Sequence, residues 1–206
     1  MRVLVACEYS GIVRDAFLAR GHDAMSCDIL PTESPGPHYQ GNVLEILNDG
    51  WDMMIAHPPC TYLSNVANRV WDSPGREFKR WDAAVFFMTL MLSDIEKICI
   101  ENPLGIMNRV FRKPDQIIHP YYFGEPYKKR TCLWLKNLVP LMWSDKNELF
   151  INKTSCDEPG PLYICQGEKS KGKAINWCEG MKGSNRGHSR SRFWESIASA
   201  MATQWG

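Results

Sequence analysis

The chain has 206 residues, 44% of them hydrophobic, with 24 Lys and Arg against 23 Asp and Glu, enough for one sizeable α/β core and too short for two ordinary domains with linkers. The balanced net charge neither favours nor excludes a polyanionic partner, which leaves the distribution of charge to be read. Apolar runs stop well short of the roughly 20 residues of a membrane span, and eight cysteines outside any secreted disulfide framework fit reduced thiols in a soluble cytoplasmic protein.

Arg2 to Cys7 is a short β-branched apolar run. It is followed by the turn Glu8-Tyr9-Ser10-Gly11 and by Ile12, Val13, Ala16, Phe17 and Ala19 at helical spacing. The pattern predicts strand, turn and helix. Gly21 ends that helix, and Asp23 to Asp28 predicts a second strand closing on an acid. In a βαβ unit such an acid accepts hydrogen bonds from a ribose; a solvated strand-end aspartate is the alternative. Leu30 to Gly41 reads as loop, its prolines and glycines leaving no room for an element. Asn42 to Asn48 fits one short helix, or a strand and turn.

Trp51 to Ser64, WDMMIAHPPCTYLS, is the stretch that organises the rest. An apolar strand ends abruptly in Pro58-Pro59, which cannot donate ladder hydrogen bonds, so a rigid turn presents the Cys60 thiol at the strand's end. Open α/β sheets bind ligands beyond that edge; a free cysteine in a proline-rich loop is the alternative. The polar stretch Asn65 to Gly75 fits a lid over the thiol. Glu77 to Ser93 predicts a helix whose stripe of Phe78, Trp81, Val85, Met88 and Leu92 packs into the core. Lys97 to Glu101 is the next strand and runs directly into Asn102-Pro103, delivering a carboxyl group to the same edge. Desolvation there would raise its pKa and suit it to acid chemistry at neutral pH.

Pro58-Pro59-Cys60 followed some forty residues later by Glu101-Asn102-Pro103, each at a strand end, resembles the Pro-Cys and Glu-Asn motifs of DNA (cytosine-5) methyltransferases, most closely the short, phage-type members. Gly124-Glu-Pro126-Tyr-Lys-Lys129-Arg130-Thr131 is similar to the family's Gly-x-Pro-Gln-x-Arg-x-Arg motif, and Ser191 to Trp205 to its last motif, a helix returning beside the cofactor. The resemblance implies a Rossmann-like doubly wound α/β sheet of the S-adenosylmethionine-dependent methyltransferase type. Its catalytic domain would be residues 1–136 and 188–206, with a small basic insert at 137–187.

The resemblance also implies roles. Cys60 would be the nucleophile that adds to carbon 6 of cytosine, making carbon 5 able to take a methyl group. Glu101 would protonate ring nitrogen 3, and Asn102 would orient the loop. Arg130 or Lys129 would favour the thiolate, and Pro59, Ser64, Lys129 and Thr131 would meet the target nucleotide. S-adenosylmethionine would occupy the first crevice, over Cys7, Glu8, Tyr9, Ser10 and Gly11, with Asp28 on the ribose and Asn42, His57 and Pro58 completing the pocket. Two positions depart from the family pattern: Cys7-Glu-Tyr9-Ser-Gly11 stands for Phe-x-Gly-x-Gly, and Asn42 replaces an aspartate.

Target recognition falls to the insert. Between Gln166 and Arg192, Lys169, Lys171, Lys173, Lys182, Arg186, Arg190 and Arg192 face only Glu168 and Glu179, and Trp177 and Tyr163 lie in or beside this stretch. That composition suits phosphate contacts and base stacking in DNA; a solvated loop is the alternative. Cys156, Cys165, Cys178 and His188 lack the paired spacing of a structural zinc site, so no metal is expected. The expected partner is DNA, as a duplex with a flipped cytosine or as a single strand. A free cytosine nucleotide as substrate and a catalytically silent DNA-binding protein are the alternatives.

Overall fold

A computed structural model describes residues 1–65, 74–143, 157–161, 163–166, 171–172, 174–175 and 193–206. Residues 66–73 of the expected lid (65–75), Trp177, Cys156, Cys178, His188 and most of the basic segment lie outside the described residues.

The first strand, β1 (Arg2–Ala6), is flanked by β2 (Asp23–Asp28) and β4 (Met53–Ala56), both parallel to it. Strands buried on both faces need continuous apolar sequence rather than alternation, and all four residues of β4, Met-Met-Ile-Ala, are buried. On one side β2 pairs in parallel with β3 (His38–Gln40). On the other, β4 pairs in parallel with β5 (Lys97–Asn102). An antiparallel strand, β7 (Thr131–Lys136), then separates β5 from β6 (Gln116–Ile118). The sheet order is β3-β2-β1-β4-β5-β7-β6. A separate hairpin pairs β8 (Tyr163–Ile164) with β9 (Ala174–Ile175).

Helices cover both faces. α1 (Ile12–Leu18) and α4 (Glu195–Gln204) pack with Val3, Val5, Met53 and Ile55 on one face. α2 (Arg76–Met91) packs with Leu4, Met54, Ile98 and Trp134 on the other. A single turn, α3 (Met107–Val110), follows β5. Gly21 ends the first helical segment with φ +79°.

Two expectations are corrected. The segment 30–41 is not all loop: Pro37 offers its carbonyl to Ser26 N–H at 3.1 Å and leads into the edge strand β3, where a preceding proline costs no ladder bond. The predicted stripe of α2 faces outward, with Phe78, Trp81, Val85 and Leu92 more than half exposed. The buried face is Ala84, Phe87, Leu90 and Met91, because Phe87 meets Trp134 edge-on at 5.1 Å and Phe111 at 6.1 Å. Two edge-to-face aromatic contacts outweigh the predicted stripe.

Candidate active site

The parallel strands β1, β2, β4 and β5 end on one edge, and the order of the sheet reverses between β1 and β4, the switch point where α/β sheets bind ligands. Beyond β1 the chain turns sharply. Cys7 has φ +59° and Gly11 φ +76°, and a Cβ on Gly11 would stand 2.4 Å from the Arg14 guanidinium, so this position requires glycine. Buried Glu8 lies under the turn, accepting from Val13 N–H at 2.7 Å, Arg14 N–H at 3.3 Å and Ser10 Oγ at 3.2 Å. It caps α1, satisfying backbone donors that have no partner in the helix. Ser10 Oγ in turn accepts from Ile12 N–H at 3.4 Å. Arg14, completely buried, ties α1 to the wall after β2 through Ser26, Thr32 and the carbonyls of Ser34 and Pro35.

Beyond β2, Asp28 Oδ1 accepts from Leu30 N–H at 2.9 Å. Asn42 Oδ1 accepts from Leu44 N–H at 3.1 Å, so the amide oxygen expected to meet a ligand also caps a turn.

Beyond β4, Pro58-Pro59-Cys60 leads into a tight turn in which the Cys60 carbonyl accepts from Leu63 N–H at 3.1 Å and Ser64 N–H at 3.0 Å. Asn102, buried at the end of β5, donates from Nδ2 to the Pro58 carbonyl at 2.7 Å. The two loops are then joined by backbone bonds, Ile106 N–H to Leu63 O at 2.9 Å and Asn65 N–H to Leu104 O at 3.2 Å. A Cβ on Gly105 would fall 2.0 Å from Leu63 O, so glycine permits this approach. From α2, Arg76 reaches the Thr61 carbonyl at 3.3 Å and Arg80 the Tyr62 carbonyl at 3.0 Å. The Cys60 turn is thus held from β5 and from α2.

Glu101 Oε2 lies 3.3 Å from His57 Nδ1. Burial pushes the Glu101 carboxyl pKa up, but the His57 hydrogen bond and the Lys129 charge pull it down and prevail, leaving it below the ordinary value. The expected upward shift is therefore overturned: an opposing charge and a hydrogen bond to the ionised form outweigh desolvation. Burial pushes the Cys7 thiol up to about 12 and that of Cys27 to about 11, whereas Cys60 is exposed.

One cavity of about 740 Å³ joins the two halves, within the range of small-molecule sites. Cys7, Glu8, Tyr9, Ser10, Asp28 and Asn42 line it on one side. His57, Pro58, Pro59, Cys60, Ser64, Glu101, Asn102 and Lys129 line it on the other. Gly11, Arg130 and Thr131 are not in its lining. Arg130 is exposed and Thr131 buried, so Lys129 is the cation of that pair that faces the cavity. Ile29, Leu30, Val43, Phe86 and Phe193 also line the cavity, beyond the residues to which the sequence pattern points. The exposed apolar pair Ile29-Leu30 directly after Asp28 was a usable signal, since nothing in the core claims it. Phe193 had none, because only the return of α4 brings it within 4.7 Å of the His57 ring.

These residues fit an adenosyl group. Ile29, 75% exposed at the cavity wall, and Leu30 offer apolar surface to a ring, and the Asp28 carboxylate beside them suits a ribose diol.

The sheet order, with one antiparallel strand inserted beside its last strand, and a cavity at the switch point define a Rossmann-like doubly wound α/β fold. No protein-family model matches the sequence, and no curated protein matches it. Among solved structures, it is similar to an E. coli protein provisionally assigned as a DNA modification methyltransferase encoded within a prophage. The two are 17% identical with a TM-score of 0.41, over 66% of this chain and 46% of that one. The chain thus spans less than half of that protein's length.

Proposed function

We propose that this protein is an S-adenosylmethionine-dependent methyltransferase that modifies carbon 5 of cytosine in DNA through the Cys60 thiolate. The observation that carries the reading is a single cavity lined by both Cys60 and Glu101, with Asn102 bonding the turn that bears the thiol to the strand that bears the carboxyl group.

The Cys60 sulfur adds to carbon 6 and forms a C–S bond. The electron pair of the 5,6 double bond shifts toward carbon 5, and ring nitrogen 3 gains a proton. Glu101 faces that edge of the ring. It is ionised in the free protein, and a base closing over it removes its remaining contact with water, which raises its pKa and lets it carry that proton. Lys129 contributes the positive charge on this wall. Asp28, Ile29 and Asn42 would hold S-adenosylmethionine, which would supply the methyl group to carbon 5 with its sulfonium leaving as the neutral thioether. Solvent water takes the carbon 5 proton, the electron pair of that C–H bond re-forms the 5,6 double bond as the C–S bond to Cys60 breaks, and ring nitrogen 3 returns its proton to Glu101, which restores the ring and the thiolate. Carbon 6 is unreachable in a stacked duplex, so the target base is flipped into the cavity or taken from a single strand.

The test is transfer from methyl-labelled S-adenosylmethionine to DNA of mixed sequence, followed by digestion to nucleosides. Label in 5-methyldeoxycytidine, absent with Cys60→Ser although that variant still binds S-adenosylmethionine, is the expected result. Label on the exocyclic nitrogen, or turnover retained in Cys60→Ser, would overturn it.

A further inference from the structure

His57 precedes the Pro-Pro-Cys turn and takes no part in the addition, methyl transfer or elimination. Its side chain is 11% exposed, and that of Glu101 is 12% exposed. Nδ1 faces Glu101 Oε2 at 3.3 Å, the ring rests 4.7 Å from that of Phe193, and Nε2 is buried with no hydrogen-bond partner among the described residues. A histidine kept only for structure would have both ring nitrogens satisfied, because an orphaned buried nitrogen costs more than a hydrogen bond gains. An apolar residue would pack on Phe193 at no such cost. The unpaired nitrogen therefore argues that His57 is retained for what Nδ1 does to Glu101.

We propose that His57 is the positioning residue of Glu101, fixing the rotation of its carboxyl group through the Nδ1–H···Oε2 bond so that Oε1 is the oxygen a bound base meets. Phe193 holds the imidazole plane from the α4 side. The Pro58 carbonyl, fixed by Asn102, holds the backbone after it, so the donor cannot swing away as the cavity fills. The other titratable or charged groups acting on this carboxyl group are Lys129 ahead of β7, Cys132 on β7 and Cys99 on β5. Lys129 is the only cation among them, and burial holds both thiols neutral. The assignment rests on reading Glu101 as the group that meets the base, and its test separates the two.

The full chain is compared as wild type, as His57→Phe, which keeps a ring against Phe193 but donates nothing, and as His57→Asn, whose amide N–H lies close to the place of the Nδ1–H. The Glu101 side-chain carboxyl carbon, assigned by its loss in Glu101→Gln, is followed by carbon-13 NMR through pH without any substrate. The wild-type carboxyl titrates below the ordinary carboxylate range, His57→Phe moves its midpoint upward, and His57→Asn moves it part of the way back. In methyl transfer, His57→Phe lowers kcat about 100-fold, the cost of a misplaced reacting group, with KM for S-adenosylmethionine within about threefold, and His57→Asn recovers about tenfold. An unmoved Glu101 midpoint, or a His57→Phe kcat within threefold of wild type, would overturn the proposal. A wild-type protein that transfers no methyl group while its Glu101 midpoint still responds to His57→Phe would refute the reaction and uphold the pairing.

Discussion

Substituting Gly105 by alanine tests whether the Cys60 turn is positioned by the loop after β5. The added Cβ would lie 2.0 Å from Leu63 O, 2.8 Å from Leu63 C and 3.0 Å from Ser64 Cα. All three are backbone atoms, which no rotamer change can move aside. A carbon–oxygen contact settles at about 3.3 Å or more, so the loops must part by roughly 1 Å. That movement breaks or stretches the bonds Ile106 N–H to Leu63 O and Asn65 N–H to Leu104 O, each worth about 1 kcal/mol net. With residual strain the cost is about 1–3 kcal/mol, a fall in Tm of about 2–12 °C for a chain of this size. The larger effect is kinetic: Leu63 and Ser64 donate to the Cys60 carbonyl, so the thiol moves with them, and a 1 Å misplacement costs on the order of 100-fold in kcat. Calorimetry and the methyl-transfer assay on Gly105→Ala measure the two effects. Unchanged Tm together with unchanged kcat would show that the loops are not coupled as described.

Arg14→Met keeps an unbranched apolar stem but removes the donor to the Pro35 carbonyl and one of the two donors to the Ser34 carbonyl, which retains Thr32 Oγ1. It is expected to cost about 3–5 kcal/mol in urea unfolding and to weaken S-adenosylmethionine binding through the wall after Asp28; a cost below about 1 kcal/mol would contradict this. Glu101, with its pKa held below the unfolded value of 4.5, favours the folded state at pH above that value, and the contribution is lost as pH falls through the folded pKa. The stability difference between wild type and Glu101→Gln should therefore shrink as pH falls below the unfolded value of 4.5 in urea melts, and a constant difference would refute the sign.

The strands were legible because buried parallel strands must be continuously apolar, and β1, β4 and β5 are. Breakers also read truly: Gly21 stops a helix and Pro58-Pro59 ends a strand. The facing of α2 was misread, since apolar residues occupy both of its sides and periodicity alone cannot say which side Phe111 and Trp134 will cover. β3 was missed because three residues after a proline carry no pattern of their own. In the site, the sequence located Cys60, Glu101 and Asn102 at strand ends, but three other features depend on partners 5 to 44 positions away. These are Glu8 as the cap of α1, the bond from His57 to Glu101, and the approach of Gly105 to Leu63. The last two, from 42 to 44 positions apart, exist only once β4 and β5 lie side by side.

The most direct test of the central claim is a covalent trap. The protein is incubated with S-adenosylmethionine and an oligonucleotide containing 5-fluorocytosine, and its intact mass is then measured. Fluorine at carbon 5 blocks the final elimination, so a cysteine that adds to carbon 6 stays bound to the DNA. The account predicts an adduct of protein, oligonucleotide and one methyl group that maps to Cys60 and disappears in Cys60→Ser. No adduct on duplex or single strand, or an adduct that survives in Cys60→Ser, would contradict it.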